Sequence, residues 1–358
     1  MSDFYYLNAR LRAMRGRLLT RAEYESILLL PDLPALAAYL LDTPYGRSIE
    51  AVGEATSPMA RLEEGLRRNF SETLTQLFAI SSEEVQEAVR ILLGYWDVYN
   101  LKTILRGKTA GLPAEKILPS LVPTGFYDEA ALEELCRPPD LRAVVDLLIT
   151  WRDPYGHWLS GVMKEYHEPK DLFLLETALD RFYFERAFTK LDEVRLVGSD
   201  RDALFIFMRF LVDRTNLMTA LQAVEERIAV LDLERYFLPG GRVYTEHDIT
   251  RLMSAQNLQE ALRLAMAGAS RFLSQTFMRD IGEPGRGISL LSLVERQLDR
   301  TLLRKMRGLM RVDPLGVGAA VAYLLDKIRE ITNLRMILRG RLVNLPEPEL
   351  SQLLILEY

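Results

Sequence analysis

Apolar residues recur along most of this chain at the spacing of one helix face. A clear stripe consists of Leu62, Leu66, Phe70, Leu74, Leu77 and Phe78. Residues three or four positions apart lie on the same side of an α-helix, so the stripe predicts an amphipathic helix with one buried face. Strand-like alternation is scarce, and no Asn-Gly or Asp-Gly pair indicates a β-hairpin. The pattern therefore predicts an all-α fold.

One signature of polar and apolar residues occurs three times at nearly constant spacing. Each copy has an acidic residue, an asparagine three positions later, and leucines one and five positions after the asparagine. The acid–asparagine pairs are Asp97 with Asn100, Asp213 with Asn216, and Glu330 with Asn333. The asparagines lie 116 and 117 residues apart, which is much longer than the roughly 20–50 residues of a solenoid repeat. We therefore predict three helical repeats, over residues 1–120, 121–237 and 238–358.

The acid and the asparagine of each signature lie three positions apart and so point to the same side of a helix. An asparagine amide beside core leucines is costly to bury unless its polar atoms are hydrogen-bonded. Three copies of one asparagine indicate that the same pairing recurs three times. We interpret the signature as a hydrogen-bonded lock between helices, and not as a catalytic group.

A second repeated block has a glutamate five positions before an arginine. The pairs are Glu63 with Arg68, Glu176 with Arg181, and Glu295 with Arg300. Positions five apart do not share a helix face. We therefore expect the two side chains of each pair to bind different neighbours in a structural network.

Glycine motifs predict where several segments end. Arg106 followed by Gly107, and Arg339 followed by Gly340, are typical of a helix C-terminus in which glycine takes the left-handed conformation. The second repeat has Gln222 at the corresponding position, which predicts that its helix continues. Residues 44–46 and 154–156 both read Pro-Tyr-Gly, which predicts a small turn in the first and second repeats.

The composition of the chain excludes several classes of protein. The chain has 358 residues, of which 49% are hydrophobic and 27% charged, as in an ordered globular protein. Its net charge of −5 argues against general nucleic-acid binding. The single cysteine, Cys136, excludes an internal disulfide and favours a buried thiol. We expect no signal peptide, because the start of the chain lacks a short apolar core followed by a small-residue cleavage site. We expect no transmembrane segment, because no stretch of about 20 apolar residues occurs.

The residues that usually carry catalysis or bind metals do not form a recognisable motif. The three histidines, His157, His167 and His247, lack the spacing of a helical metal pair. The sequence also lacks the G-x-x-x-x-G-K-[ST] phosphate-binding loop. We therefore predict no catalytic residue, no metal ligand and no cofactor.

Two basic runs are candidate partner-binding surfaces. Their members are Arg10, Arg12 and Arg15 near the start of the chain, and Arg304, Lys305 and Arg307 near its end. Clustered cations can bind an acidic partner or lipid headgroups. The alternative is that they form ordinary solvated helix faces.

Three blocks of this sequence together resemble one known family. Residues 6–15, 96–106 and 313–335 are similar to the C subunit of archaeal and bacterial V-type (A-type) ATPases, which corresponds to the d subunit of eukaryotic vacuolar ATPases. The resemblance extends from the start of the chain to about residue 342. It implies three similar helical domains that form a funnel around a pseudo-threefold axis.

The resemblance also implies a function. It predicts a non-catalytic central-stalk subunit at the cytoplasmic face of the membrane, where it would join the central shaft to the membrane rotor ring and transmit rotation. Two alternatives remain open. The chain could be a free-standing helical adaptor that binds peptides or proteins, or an enzyme whose activity depends on Asp97, Asp213 or Glu330.

Overall fold

The computed structural model describes residues 2–53, 57–123, 126–166, 172–194, 198–227, 236–268, 277–281, 288–312 and 317–356. Every regular element in these ranges is helical, which confirms the all-α prediction. The first ten helices are α1 (Ser2–Arg15), α2 (Arg21–Leu28), α3 (Leu33–Leu41), α4 (Gly46–Glu50), α5 (Pro58–Ala79), α6 (Glu83–Thr109), α7 (Ala114–Ile117), α8 (Glu129–Cys136), α9 (Leu141–Thr150) and α10 (Pro154–Val162). A short 3₁₀ turn, Leu118–Ser120, follows α7.

The remaining helices are α11 (Leu172–Glu193), α12 (Ser199–Glu225), α13 (Glu246–Met253), α14 (Leu258–Gly268), α15 (Phe277–Ile281), α16 (Leu290–Val312), α17 (Val317–Leu342) and α18 (Glu347–Leu353). No helix within the described ranges combines the length and the apolar character needed to cross a bilayer.

The chain forms two compact units. The first unit contains Met1–Val89, Val197–Ala203 and Met278–Tyr358, and the second contains Arg90–Leu196 and Leu204–Phe277. Each unit therefore contains residues from more than one of the predicted repeats. The three sequence repeats themselves stay a prediction.

The predicted apolar stripe forms the buried face of α5. Leu62, Leu66, Phe70, Leu74 and Leu77 are all buried there. The helix begins after Ser57, whose hydroxyl accepts a hydrogen bond from the backbone N–H of Ala60, with Pro58 at the first helical position. Apolar periodicity and a polar cap therefore act together to define this helix.

The three signature helices end at the same offset from their asparagines. They end at Thr109, Glu225 and Leu342, which is nine residues after each asparagine. Two positions further on, a residue with positive φ reverses the chain in each case: Gly111 (φ 67), Arg227 (φ 53) and Asn344 (φ 54). The prediction that only the second helix continues was therefore wrong.

Gly107 and Gly340 lie inside their helices and do not cap them. A Cβ atom on Gly107 would lie 2.6 Å from the side chain of Ile117, and one on Gly340 would lie 2.8 Å from that of Leu350. Both separations are shorter than real Cβ contacts, so a larger residue at either position would force the facing side chain of the next segment to shift. The arginine-glycine pair therefore indicates close packing.

The two Pro-Tyr-Gly motifs start short helices. Residue 154 begins α10, and Gly46 begins α4. A Cβ on Gly46 would lie 2.0 Å from the carbonyl oxygen of Leu41, and one on Gly156 would lie 2.6 Å from the backbone nitrogen of Ile149. Each motif therefore lets two consecutive helices approach at backbone distance.

Candidate functional site

Each signature asparagine makes the same pair of hydrogen bonds. Its side-chain oxygen accepts from a backbone N–H, and its NH₂ group donates to the carbonyl of the same residue, always 22 positions later in the chain. The pairs are Asn100 with Val122, Asn216 with Leu238, and Asn333 with Ile355. For Asn216 the two distances are 2.8 and 2.9 Å. All three asparagines are fully buried.

The partner of each asparagine is a non-helical segment, which differs from the expected contact between two helices. The physical reason is hydrogen-bond supply. The N–H and C=O groups of a residue inside a helix are hydrogen-bonded within that helix, whereas both groups of Leu238 are available to a side chain. An amide side chain offers a donor and an acceptor together, whereas an ionised carboxylate can only accept, so asparagine fits this position and aspartate does not.

The acidic residue beside Asn216 binds a chain segment by its backbone. The Asp213 carboxylate accepts from the N–H groups of Arg242, Val243 and Tyr244 at 2.9–3.2 Å. A Cβ on Gly241 would lie 2.4 Å from Asp213 Oδ1, so the segment approaches closely. Burial raises the pKa of Asp213, and the three backbone hydrogen bonds oppose that rise.

Glu330 binds the first repeat within the first unit. Its carboxylate accepts from the backbone N–H of Leu19 and from the Tyr45 hydroxyl, each at 2.5 Å. Lys327 completes the cluster at 3.0 Å from Glu330 and 2.9 Å from the Tyr45 oxygen. Burial lowers the pKa of Lys327, while the neighbouring Glu330 opposes that change. This carboxylate thus joins residues 311 positions apart.

Asp97 lies in a group of phenol side chains in the second unit. It is 3% exposed. Burial raises the pKa values of Tyr127, Tyr155 and Tyr183, and the negative charge of Asp97 raises them further. The three acids of the signature are therefore all buried, and each has a different set of neighbours.

The glutamates of the second block bind signature helices where an arginine is present. Arg106 donates two hydrogen bonds of 2.5 Å to the buried Glu176. Arg339, at the corresponding position, lies 3.5 Å from Glu63. The second repeat has Gln222 there, which donates to Glu226, the residue that follows its helix. Glu295 lies exposed on α16.

The arginines of the same block mostly bind backbone carbonyls. Arg181 donates to Phe237 at 3.0 Å, and Arg300 donates to Leu354 at 2.6 Å. Each acceptor is next to the residue held by the signature asparagine of that repeat. Arg68 instead contacts Glu72 at 3.3 Å and the Ala51 carbonyl at 3.4 Å. Glu63 contacts Arg339 and Glu176 contacts Arg106, so these two glutamates bind residues other than those named for Arg68 and Arg181.

The sequence analysis missed an ion pair between the half-buried Lys102 and the buried Asp180. Burial raises the pKa of Asp180, and the Lys102 ammonium opposes that rise. Asp180 lies between Leu179 and Arg181 of the second block. Its place on the buried side of a repeated helix was the available signal, but the repeats differ at this position.

The two basic runs divide into internal and exposed cations. Arg15 and Arg307 both bind the buried Asp326, at 2.7 and 2.6 Å. Arg10 and Arg12 are exposed on α1. On α16, Arg304 is exposed and Lys305 is half-buried. The residues whose exposure suits an external partner are therefore Arg10, Arg12 and Arg304.

The described part of the chain offers little to a catalytic or metal centre. It contains no cluster of histidine, cysteine and carboxylate side chains that could hold a metal ion. His157 and His247 are exposed, and His167 lies outside the described residues. Cys136 is buried, and burial raises its pKa to about 11, which keeps it a neutral thiol.

Comparison with known proteins shows the family of this chain. A family model described as "ATP synthase (C/AC39) subunit" matches residues 7–353. The chain belongs to this family. The match covers all three asparagine signatures, so the resemblance seen in the sequence is confirmed.

Members of the ATP synthase C/AC39 family from archaea align with nearly the whole chain. The A-type ATP synthase C subunit from Methanocaldococcus jannaschii is 26% identical over 356 residues, which covers 99% of this chain and 87% of the relative. The protein of the same name from Haloquadratum walsbyi is 28% identical, covering 97% and 96%. That from Haloferax volcanii is 29% identical, covering 98% and 97%.

Proposed function

We propose that this chain is a non-catalytic central-stalk subunit of a rotary ATPase. In this role it joins the central shaft to the membrane rotor ring and transmits torque that couples ATP chemistry to proton or sodium transport. The observation that carries the proposal is the family match over residues 7–353. The archaeal A-type ATP synthase relatives, aligned from end to end, support it.

The buried contacts suit a part that must resist shear. Each signature asparagine fixes both polar groups of one backbone position, so the segment cannot slide along the helix without breaking two hydrogen bonds. The Asp213 and Glu330 carboxylates add bonds to segments distant in the sequence. Such contacts give rigidity, because a displaced buried polar group loses its partner.

The proposal includes an arrangement, partners and a location. Three helical repeats would surround a pseudo-threefold axis as a funnel whose open side receives the shaft. The rotor ring and shaft subunits would be the partners, and the chain would be peripheral at the cytoplasmic face of the membrane. Arg10, Arg12 and Arg304 are the exposed cations that we assign to partner contact, and no cofactor is required.

The test is retention on isolated partners. Purified chain is applied to immobilised, detergent-solubilised rotor ring, and shaft subunits are then added. We expect the ring to retain the chain and the loaded chain to retain the shaft. Arg10→Glu should weaken retention, whereas Arg209→Glu, an exposed control on α12, should not. A chain that binds neither partner contradicts the proposal and favours a free-standing adaptor.

A further inference from the structure

The first helix of the first unit, α1, has one buried side and one exposed side. Leu7, Asn8 and Leu11 are buried, and the helix packs on α17. The residues between positions 6 and 17 that face solvent are Tyr6, Ala9, Arg10, Arg12, Ala13, Gly16 and Arg17. None of these exposed residues is acidic. The outer face of α1 is therefore a surface with only one sign of charge.

The cations of this face have no counter-charge within the described part of the chain. Arg10, Arg12 and Arg17 form no ion pair with any residue that the structure describes. On the next helix, by contrast, the exposed Arg21 binds Glu25 one turn later at 2.8 Å. Mixed charges of that kind are typical of a solvated helix face. The face of α1 lacks this mixture, which favours a partner that supplies the negative charge.

The small and aromatic residues of the face form a single line along the helix. Tyr6, Ala9, Ala13 and Gly16 follow one another at spacings of three, four and three residues. Residues at this alternating spacing form the line of contact between two helices in a coiled coil. Gly16 still belongs to this geometry, because its N–H donates to the carbonyl of Arg12 at 3.0 Å. We call this line the seam of α1.

Two arginines lie on opposite sides of the seam. Arg10 directly follows Ala9, and Arg12 directly precedes Ala13. In a pair of helices, these two flanking positions are the ones from which charged side chains reach the partner helix. Both arginines are exposed. A helix that lies along the seam would therefore meet a cation on each side.

The small residues of the seam are not required by the packing of this chain. A Cβ atom on Gly16 would make only ordinary contacts, at 3.6 Å from the carbonyl oxygens of Ala13 and Arg12, and its φ is not positive. Larger side chains at Ala9 and Ala13 would extend into solvent. The distance between two packed helices depends on the side chains at their contact, so this seam permits a close approach. The ring of Tyr6, 58% exposed, offers an aromatic anchor at one end.

A membrane surface fits this face less well than a helix does. Helices that lie on membranes insert large apolar side chains such as leucine and phenylalanine. The large apolar residues Leu7, Leu11 and Met14 of α1 are buried inside the unit. Apart from Tyr6, the outer face offers only alanines, which add little apolar area. The charge and the seam together therefore indicate a protein helix as the occupant.

We propose that the outer face of α1 binds a helix of a protein partner whose own apolar seam is flanked by glutamate or aspartate. The apolar side chains of that helix contact Ala9, Ala13 and the ring of Tyr6, and its flanking carboxylates bind Arg10 and Arg12. The inference names the chemistry of the partner contact assigned above to these two arginines, and it rests on that part of the proposed function.

The experiment uses the full chain and three labelled peptides of about 20 residues, or three heptads. The first probe has leucine at the seam positions and glutamate at both flanking positions. The second replaces these glutamates by lysine, and the third contains the residues of the first in an order that removes the seam. Fluorescence anisotropy should show saturable binding of the first probe, with a dissociation constant below about 100 µM. The other two should bind at least about tenfold more weakly.

Three variants test the location. Arg12→Glu should weaken binding of the first probe about tenfold and strengthen binding of the lysine probe. Ala13→Gln should weaken binding about fivefold, because the longer side chain keeps the helices apart. Arg47→Glu is the matched control, since Arg47 is exposed on α4 of the same unit and forms no ion pair with a described residue. All three positions are exposed, so the variants are expected to fold.

Three results would overturn the inference. They are equal binding of the first and third probes, absence of saturable binding, and equal effects of Arg12→Glu and Arg47→Glu. Vesicles containing phosphatidylserine form a further arm. If Arg12→Glu abolishes vesicle binding while no peptide binds, the face belongs to lipid headgroups and the inference fails.

The inference and the proposed function can fail separately. Retention on rotor ring and shaft without peptide binding refutes the helix contact and leaves the rotary role in place. Peptide binding without retention on either partner supports the helix contact and contradicts the rotary role.

Discussion

At the residue scale, the chain relies on side chains that satisfy backbone groups outside helices. Asn216 pairs with both polar groups of Leu238, and Asp213 accepts three N–H groups a few residues further on. Such contacts are specific because the donors and acceptors of each side chain match the backbone groups that it binds. Removing one leaves buried groups unpaired, which costs more than the bond itself contributes.

Asn216→Leu should lower the free energy of unfolding by about 1–3 kcal/mol, because the N–H and C=O of Leu238 lose their partner inside the protein. Urea unfolding followed by circular dichroism measures the change. Gln222→Leu is the control on the same helix, since it removes only an exposed amide contact with Glu226 and should cost about 0.5 kcal/mol or less. Equal effects of the two substitutions would contradict the lock.

Lys327 should make stability depend on pH in the alkaline range. Burial lowers its pKa in the folded chain below the ordinary value of 10.5. Between these two values the unfolded chain binds more protons, so the free energy of unfolding rises with pH. The Glu330 carboxylate and the Tyr45 hydroxyl face the ammonium. Burial raises the pKa of Tyr45 well above 10, so its titration in the unfolded chain acts in the opposite sense near pH 10, and the measurement stays below that value.

The measurement compares wild type with Lys327→Met. Their difference in unfolding free energy should shift in favour of wild type as the pH rises from neutral towards about 10. A difference that stays constant over this range would show that the folded state leaves the lysine pKa unchanged.

At the element scale, glycines set how closely helices approach. A Cβ at Gly46 or Gly156 would overlap backbone atoms of the preceding helix, whereas one at Gly107 or Gly340 would meet a side chain of the next segment. Their positions depend on contacts between elements, and helix propensity alone would disfavour them. The arginine after the signature likewise acts between elements, because Arg106 joins α6 to α11 through Glu176.

Two glycines of α10 give opposite predictions. Gly156→Ala should destabilise the protein by about 1–3 kcal/mol, because the new methyl group overlaps the backbone of Ile149 and Leu148. Gly161→Ala should stabilise it by about 0.5–1 kcal/mol, because open space surrounds that position and alanine favours the helix. Thermal unfolding of both variants measures these changes. Changes of the same sign in the two variants would contradict this packing.

At the scale of the whole molecule, the same signature acts separately in the two compact units. Asp213 binds residues 242–244 in the second unit, whereas Glu330 binds Leu19 and Tyr45 in the first. The first unit thus brings together the start and the end of the chain. A perturbation at each acid should therefore be confined to its own unit.

Hydrogen exchange with mass spectrometry can resolve this. Glu330→Gln should increase exchange around residues 19–28 and 45–53, while residues 236–268 keep their protection. Asp213→Asn, the matched change in the other copy, should reverse the pattern. Exchange that rises evenly over the whole chain in both variants would show that the carboxylates do not act locally.

The sequence by itself determined the helical class, the triplicated signature and the family. Periodic apolar residues encode helices locally, and a repeated asparagine among core leucines predicts a repeated hydrogen-bonded pair. The sequence did not predict the pairing partner of each asparagine. That partner is a non-helical residue 22 positions later, and it is available only because its backbone N–H and C=O have no helical partner in the folded chain. The caps inferred at Gly107 and Gly340 failed for a related reason: propensity describes one helix, whereas Ile117 and Leu350 come from other segments.

Only the tertiary structure decided how distant residues share one environment. Asp326 binds Arg15 and Arg307, and Glu330 binds Leu19 and Tyr45, although nothing in the local sequence pattern links these positions. Local sequence determines helices through short-range hydrogen bonds, while burial and pairing of polar groups depend on contacts that form only when the chain has folded.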